Sequence, residues 1–154
     1  MLNEGEKAPL FCLPNDKNEN ICLDQFKDKW VVIYFYPRDN TPGCTTEACD
    51  FSANITDFVD IDDVVIGISP DSPERHAKFI AKHDLKHILL SDEDHKVLEL
   101  YDAWRKKLLY GKELFGVIRS TYLINPQGVI AKVWPKVKVK GHVNEVRDVL
   151  KSLK

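Results

Sequence analysis

The sequence predicts an α/β fold in which a mixed central β-sheet is flanked by helices and preceded by an N-terminal β-hairpin. Two apolar runs without polar alternation, at 30–36 and 63–69, have the pattern of strands that are covered on both faces of a sheet. Each run is followed by a segment of helical periodicity, and a pair of strands with a tight turn precedes the last helix. This alternation of strands and helices is what a sheet with flanking helices requires.

The first predicted element is a small hairpin. Its arms hold Leu10 and Cys12 on one side of the polar turn 15–20, and Ile21 and Leu23 on the other side. The arms are short, and the turn between them is rich in asparagine and charged residues. We therefore expect the hairpin to lie at an edge of the main sheet rather than within it.

The run 30–36 is β-branched and aromatic throughout, so we expect it to be the central strand. It ends at Pro37, and a helix is predicted to begin shortly afterwards. The hydroxyl of Thr41 can cap this helix, and Pro42 occupies the first helical position, where its missing N–H is no loss. Apolar residues at helical spacing then mark the face turned to the core. These residues are Ala48, Phe51, Ile55, Phe58 and Val59.

The strand 63–69 is followed by two prolines and a second helix, which completes a β-α-β arrangement. A short third strand is predicted at 87–90, and a short helix is predicted after it. The polar stretch 105–113 is predicted to be a loop. The inner face of the second helix is predicted to consist of Phe79, Ile80 and Leu85. The short helix is predicted from Val97, Leu98 and Tyr101.

The run 120–124, the turn 125–128 and the run 129–134 predict an antiparallel hairpin. A closing helix is predicted after Gly141. The chain has the length of one compact domain, and no segment of it has the composition of a linker. We therefore predict that residues 1–154 form a single domain. The order of elements resembles that of thioredoxin-like folds. The inward side chains of the closing helix are predicted to be Val143, Val146, Val149, Leu150 and Leu153.

The charges of the chain are nearly balanced, with 22 basic and 24 acidic residues and a formal net charge of −2. Neither sign is in enough excess to attract nucleic acid or an anionic membrane, so we expect no such partner. The sequence has no leader pattern at its start and no run near the ~20 apolar residues of a membrane helix. We therefore expect a cytoplasmic protein.

Four cysteines are present, at Cys12, Cys22, Cys44 and Cys49. They are too few for a disulfide-rich scaffold, and a cytoplasmic compartment favours transient pairing over permanent staples. Cys12 and Cys22 belong to no motif, so we expect ordinary packing or partial exposure for both. The chain has no C-x-x-C pair and no histidine pair at zinc-finger spacing, and we expect no metal site.

The chemistry of the chain is predicted to centre on Cys44, in the first turn of the helix that follows the central strand. The first N–H groups of a helix lack partners within it and form the positive end of its dipole, so they stabilise a thiolate. An ordinary thiol is only a few per cent ionised near neutral pH, and a helix end contributes roughly 0.3–2 kcal/mol. A cation or further hydrogen bonds must therefore assist.

The spacing Pro37, three residues, Thr41, two residues, Cys44 resembles the active-site signature of peroxiredoxins. The surrounding segment 35–51 is similar to that of the bacterioferritin comigratory protein branch, also called PrxQ. The likeness extends over nearly the whole chain, because three other segments fit the same branch. These are 110–113, 119–124 and 138–142.

This resemblance implies a thiol-dependent peroxidase that reduces hydrogen peroxide and organic hydroperoxides to water and alcohols without a cofactor. It implies that Cys44 is the nucleophile, that Thr41 and Arg119 bind and polarise the peroxide, and that Cys49 resolves the resulting sulfenic acid as an intramolecular disulfide. A thioredoxin-like dithiol would then restore both thiols. A monomer is expected, with a weak dimer as the alternative. The pocket is expected to include Pro37, Pro42, which shields the intermediate, Gly43 and Glu47.

The separation of the two cysteines sets a condition on this mechanism. In an unbroken helix, the Cα atoms of Cys44 and Cys49 are about 8.6 Å apart and the side chains lie on different faces. A disulfide needs Cα atoms within roughly 7 Å of each other. We therefore expect the start of the helix to unwind before the disulfide forms.

Several alternatives remain open from the sequence. Cys44 and Cys49 are also explained as buried apolar residues, Arg119 as a structural ion-pair partner, and Thr41 as a helix cap alone. A thioredoxin-like disulfide oxidoreductase is a second enzyme class, although it would carry C-x-x-C where this chain has C-x-x-x-x-C. A redox-sensing or chaperone-like binding protein is a non-enzymatic alternative.

Overall fold

The computed structural model describes residues 2–54 and 63–154. The strands are β1 Cys12–Pro14, β2 Asn20–Cys22, β3 Trp30–Phe35, β4 Asp63–Ser69, β5 Ile88–Ser91, β6 Trp104–Leu109, β7 Lys112–Val117, β8 Ser120–Ile124 and β9 Ile130–Trp134. The α-helices are α1 Pro42–Ala53, α2 Pro73–His83, α3 Lys96–Leu100 and α4 His142–Leu153, and a 3-10 turn spans Leu23–Phe26.

Five strands form one mixed sheet in the order β5-β4-β3-β8-β9. The apolar strand β3 is its middle strand, parallel to β4 and antiparallel to β8. The helices pack against this sheet, and the fold is the thioredoxin-like α/β arrangement that the sequence predicts. Among the described residues, no helix combines the length and apolar character needed to cross a membrane.

Alternate residues of β3 pack into two separate apolar clusters, as the pleat of a strand requires. Val31 and Ile33 belong to the hairpin-face cluster, so named because the N-terminal hairpin and α3 contribute to it. Val32 and Tyr34 belong to the helix-face cluster, to which α1, α2 and α4 contribute. The side chains of β3 are almost wholly inaccessible on both sides, which confirms that the strand is central.

Most of the predicted inward residues are buried, with Ile80 and Val149 half-buried. Leu153 is 46% exposed, so its predicted inward position is wrong. It lies in the last turn of α4, beyond the part of the helix-face cluster that Leu150 reaches. The predicted helix residues Ile55, Phe58 and Val59 lie outside the described residues. Those found buried are Ala48, Phe51, Phe79, Leu85, Val97, Leu98, Tyr101, Val143, Val146 and Leu150.

The stretch 105–113, predicted to be a loop, instead forms most of a β-hairpin. Strands β6 and β7 pair in register from Trp104 with Val117 to Leu109 with Lys112. The turn residues have positive φ, 51° at Tyr110 and 75° at Gly111, as a two-residue hairpin turn requires. The prediction was wrong because strands β6 and β7 form a separate sheet, apart from the main one. Lysines at exposed positions of such a pair are compatible with strand structure.

The N-terminal hairpin is confirmed as the two-stranded sheet β1–β2. An isolated bridge from Asn15 to Leu90 places it beside β5, the edge strand of the main sheet. A disulfide joins Cys12 to Cys22, so the expectation of ordinary packing for these two residues is wrong. The physical reason is the strand register, which sets the two cysteines directly opposite each other with Cα atoms 4.0 Å apart.

Candidate active site

Cys44 lies where the central strand gives way to α1. It is the third residue of the helix and is only 1% exposed. Thr41 precedes the helix in an extended conformation, and the first bond of the helix runs from the N–H of Thr45 to the carbonyl of Thr41. The N–H groups of Gly43 and Cys44 precede that bond, so the positive end of the helix lies at the sulfur.

Arg119 reaches the sulfur from the neighbouring strand. It immediately precedes β8, whose first residue, Ser120, pairs with Phe35 at the end of β3. The guanidinium donates from Nη2 to Cys44 Sγ at 3.2 Å. Gly43 leaves room for this contact, because a Cβ at that position would lie 3.3 Å from Arg119 Nη2. The cation expected beside the thiol is therefore present.

Glu47 lies one helical turn after Cys44 and holds the other side of the guanidinium. Its side chain is fully buried, and Oε1 accepts a hydrogen bond from Arg119 Nη1 at 2.7 Å. Oε2 has no hydrogen-bond partner among the described residues. Burial raises the pKa of Glu47 to about 7, although Arg119 opposes the rise. Near neutral pH, the carboxyl is thus present in both its protonated and its ionised form.

The raised pKa of Glu47 makes stability depend on pH. Because the folded pKa of about 7 exceeds the usual value of 4.5, the native state binds the extra proton between these values. Stability should therefore fall as pH rises from about 4.5 to 7, by roughly 3 kcal/mol. In Glu47→Gln, which still accepts a hydrogen bond from Arg119, we expect this component to vanish. Urea unfolding of the wild type and of Glu47→Gln at several pH values measures this difference. If the free energy of unfolding depended on pH in the same way in both proteins, the prediction would be contradicted.

Thr41 lies beside the site, but it does not cap the helix as predicted. Its hydroxyl donates to the carbonyl of Arg38 at 2.9 Å, and no backbone N–H of α1 donates to it. The prediction was wrong because the side chain turns back to the preceding loop. Pro37 is half-buried on that loop, and Pro42 is exposed at the start of the helix.

The loop between β3 and α1 is held by buried hydrogen bonds around Asp39. Asp39 Oδ1 accepts from the hydroxyl of Tyr36 at 2.6 Å, and Oδ2 lies 2.7 Å from His76 Nδ1. The N–H of Asp39 donates to Asp71 Oδ2 at 2.7 Å. Asp39, Asp71 and His76 are close enough to hold a metal ion, but their polar atoms already have protein partners. We interpret the cluster as a support for the loop that positions Cys44.

Cys49 is half-buried further along α1 and packs against the same helix-face cluster as Cys44. Both thiols are free, and α1 is continuous between them. Burial raises the pKa of Cys49, and the neighbouring Asp50 raises it further. Cys49 is therefore a protonated thiol within an intact helix.

Lys107 is a residue near the site that the sequence interpretation missed. Burial lowers its pKa, the charge of Arg119 lowers it further, and Cys44 acts in the opposite sense. Its side chain extends along β7, with Cε 3.4 Å from where a Cβ of Gly116 would lie. It was missed because β6 was predicted to be a loop. The available signal was Gly111, because glycine readily adopts the positive φ that a tight hairpin turn requires.

The structure therefore brings together Cys44, Arg119, Glu47 and Gly43, and it places Lys107 within electrostatic range of them. Thr41 and Pro42 lie at the start of α1, just before Cys44 in the chain, and Pro37 lies in the preceding loop. The arrangement presents a buried sulfur to a fixed guanidinium at a helix N-terminus. Such a site stabilises negative charge that develops beside the sulfur.

Comparisons with known proteins agree with this geometry. Residues 5–133 match the AhpC/TSA family. The chain is 50% identical over 149 residues to "Peroxiredoxin Bcp" of Bacillus subtilis, covering 97% of this chain and 95% of the relative. A PrxQ cysteine mutant from Xylella fastidiosa has a TM-score of 0.93 at 35% identity, covering 99% and 97% of the two chains. A peroxiredoxin Q cysteine mutant of Xanthomonas campestris has a TM-score of 0.89 at 38% identity, covering 94% of this chain and 92% of the other.

Proposed function

We propose a mechanism on the premise that the chain belongs to the AhpC/TSA family and, within it, to the Bcp/PrxQ peroxiredoxins, which are thiol-dependent peroxidases. Its substrates are hydroperoxides, and its reductant is of the thioredoxin type. In the proposed cycle, Cys44 is the residue oxidised by the peroxide and Cys49 is the residue that resolves the product. The contact of 3.2 Å between Arg119 Nη2 and Cys44 Sγ is the observation that supports the assignment of Cys44.

In the first step, the Cys44 thiolate attacks one oxygen of the hydroperoxide and the O–O bond breaks. The sulfur becomes a sulfenic acid, and the other oxygen leaves with a proton as alcohol, or as water from hydrogen peroxide. Negative charge grows on the leaving oxygen, and the guanidinium of Arg119 lies where it can stabilise that charge. Glu47 holds the guanidinium in this orientation through Nη1.

Thr41 completes the proposed peroxide site. Its hydroxyl hydrogen is committed to the carbonyl of Arg38, so its oxygen remains able to accept a hydrogen bond from the peroxide. Pro42 is exposed beside the sulfur and is proposed to shield the sulfenic acid from further oxidation. Pro37 and Gly43 are proposed to complete the pocket on the loop and helix sides.

In the second step, Cys49 attacks the sulfenic sulfur of Cys44, a disulfide forms and water leaves. The continuous helix holds the two residues too far apart for this, so the first turns of α1 must open. Opening also removes Cys49 from the surroundings that raise its pKa, which favours the reactive thiolate. Local unfolding and activation of the resolving thiol are thus proposed to occur together.

A dithiol of the thioredoxin type then reduces the Cys44–Cys49 disulfide by exchange, which restores two thiols and leaves the reductant oxidised. We propose the cytoplasm as the compartment, because this cycle requires a pool of reduced dithiol. We also propose that residues 1–154 act as one domain and as a monomer. The same reducing environment keeps the catalytic cysteines free between turnovers.

The role of Cys49 is tested with Cys49→Ser in an assay that couples peroxide reduction to NADPH through thioredoxin and its reductase. We expect steady-state turnover to fall at least ~10-fold, because no disulfide can form for thioredoxin to reduce. The first oxidation of Cys44 should proceed at close to the wild-type rate in a single turnover.

The matched control for this test is Cys12→Ser/Cys22→Ser, which removes two cysteines away from the site and should turn over normally. Wild-type turnover by Cys49→Ser would contradict the assignment. Reduction of insulin disulfides without peroxide would instead support the disulfide oxidoreductase alternative.

A further inference from the structure

A second cysteine pair lies away from the candidate active site. The sulfur atoms of Cys12 and Cys22 are bonded, whereas those of Cys44 and Cys49 are free. Cys12 and Cys22 are the end pair of the β1–β2 register, at the open end of the hairpin. The bond therefore ties the two arms of the hairpin at the end opposite its turn.

The two pairs are separated by the main sheet. Phe11 and Leu13, on either side of Cys12, pack in the hairpin-face cluster. Cys44 and Cys49 pack in the helix-face cluster on the other side of β3. Because the strand between them is buried on both faces, the pairs do not meet within one folded chain. Any electron exchange by the hairpin pair would therefore be with another molecule.

The disulfide is open to such molecules. Cys12 is exposed and Cys22 is half-buried. Cys12 also lines a cleft of about 700 Å³ between the hairpin and the β5–α3 connection. The cleft has exposed apolar edges, Leu10 at 68% and Leu100 at 46%. Cys12 is therefore the more exposed of the two bonded residues, and it faces a cleft that a thiol partner can enter.

The hairpin has supports that do not depend on the disulfide. Asn15 Oδ1 accepts from the N–H groups of Lys17 and Glu19 at 3.0 and 2.8 Å, and the N–H of Asn15 donates to the carbonyl of Glu19. Leu13 is buried in the hairpin-face cluster, and Asn15 bridges to Leu90. Breaking the bond therefore leaves two thiols facing each other in a folded hairpin, so the bond can form again.

We propose that Cys12 and Cys22 form a second dithiol–disulfide couple of this chain, which takes up and releases two electrons separately from Cys44 and Cys49. In reduction, a dithiol attacks the Cys12 sulfur, the bond between the two cysteines breaks, and Cys22 leaves as a thiol. The second sulfur of the dithiol then displaces Cys12 and leaves the partner as a disulfide. In oxidation, two thiols and one hydroperoxide give the disulfide, one alcohol and one water.

The cleft also indicates which reductants react well. Asp92, Glu93 and Asp94 line the same cleft as Cys12, together with one basic residue, Lys96, so the formal charge of the lining is negative. An anionic thiol such as glutathione is repelled there, whereas an uncharged dithiol such as dithiothreitol is not. Added salt should therefore speed reduction by glutathione more than reduction by dithiothreitol.

The test uses Cys44→Ser/Cys49→Ser, which retains only the hairpin pair and so does not depend on the peroxidase mechanism. Peptide mapping of the oxidised protein should show the Cys12–Cys22 link. Dithiothreitol should open the link under native conditions, and hydrogen peroxide should close it again. The melting temperature should fall by about 5–10 °C on reduction and recover on oxidation.

The control is Cys12→Ser/Cys22→Ser, whose peroxidase turnover should stay within about twofold of wild type. Its melting temperature, measured with Cys44 and Cys49 also replaced by serine, should not respond to dithiothreitol. The proposal is overturned if the hairpin thiols remain free after oxidation, if they link to Cys44 or Cys49, or if the disulfide resists native reduction and so acts only as a permanent staple.

Discussion

Replacing Cys44 with serine should reduce hydroperoxide turnover by at least ~10³-fold while leaving the fold intact. A serine hydroxyl stays protonated beside Arg119, so the site loses its nucleophile. The side chain changes little in volume at this buried position, and α1 retains its hydrogen bonds. Peroxide consumption under single-turnover conditions measures the effect, with thermal unfolding as the control for folding. Activity near wild type would place the nucleophile at another cysteine.

Replacing Arg119 with methionine should lower kcat/KM for hydroperoxides by about 10²–10³-fold. The change removes the donor to Cys44 Sγ, which is also the cation proposed to stabilise the leaving oxygen. It also leaves Glu47 buried without its partner, which destabilises the fold. The rates of alkylation of Cys44 and of peroxide reduction should both fall, and unchanged values for both would contradict the proposed role.

The control for Arg119→Met separates catalysis from folding. In Arg119→Met/Glu47→Met, neither polar partner of the buried pair remains, so most of the lost stability should return. Peroxidase activity should remain low, because the sulfur still lacks the guanidinium. Recovery of activity together with stability would show that Arg119 acts only through the fold.

The main sheet could be predicted because its strands carry the strongest sequence signal. The run that contains β3 has no polar alternation, and only a strand buried on both faces of a sheet accommodates that pattern. Hairpin β6–β7 lacked such a signal. Its strands lie outside the main sheet and carry lysines, so their pairing depends on a turn at Tyr110 and Gly111 rather than on burial.

Most residues of the candidate site could be predicted, but Lys107 and several contacts could not. The family resemblance implied roles for Cys44 and Arg119, and the structure joins these two residues by a direct hydrogen bond. The pairing of Cys12 with Cys22 could not be predicted, because it follows from a strand register that the two short arms do not specify. The rotation of Thr41 toward Arg38 likewise depends on loop geometry and not on residue type.

The most direct test of the account is peptide mapping of the fully reduced protein after one equivalent of hydrogen peroxide. The mechanism predicts a linkage between Cys44 and Cys49 as the main early product, and a trapped sulfenic acid at Cys44 in Cys49→Ser. A first oxidation at Cys49, or a Cys44 sulfur joined to Cys12 or Cys22, would contradict it.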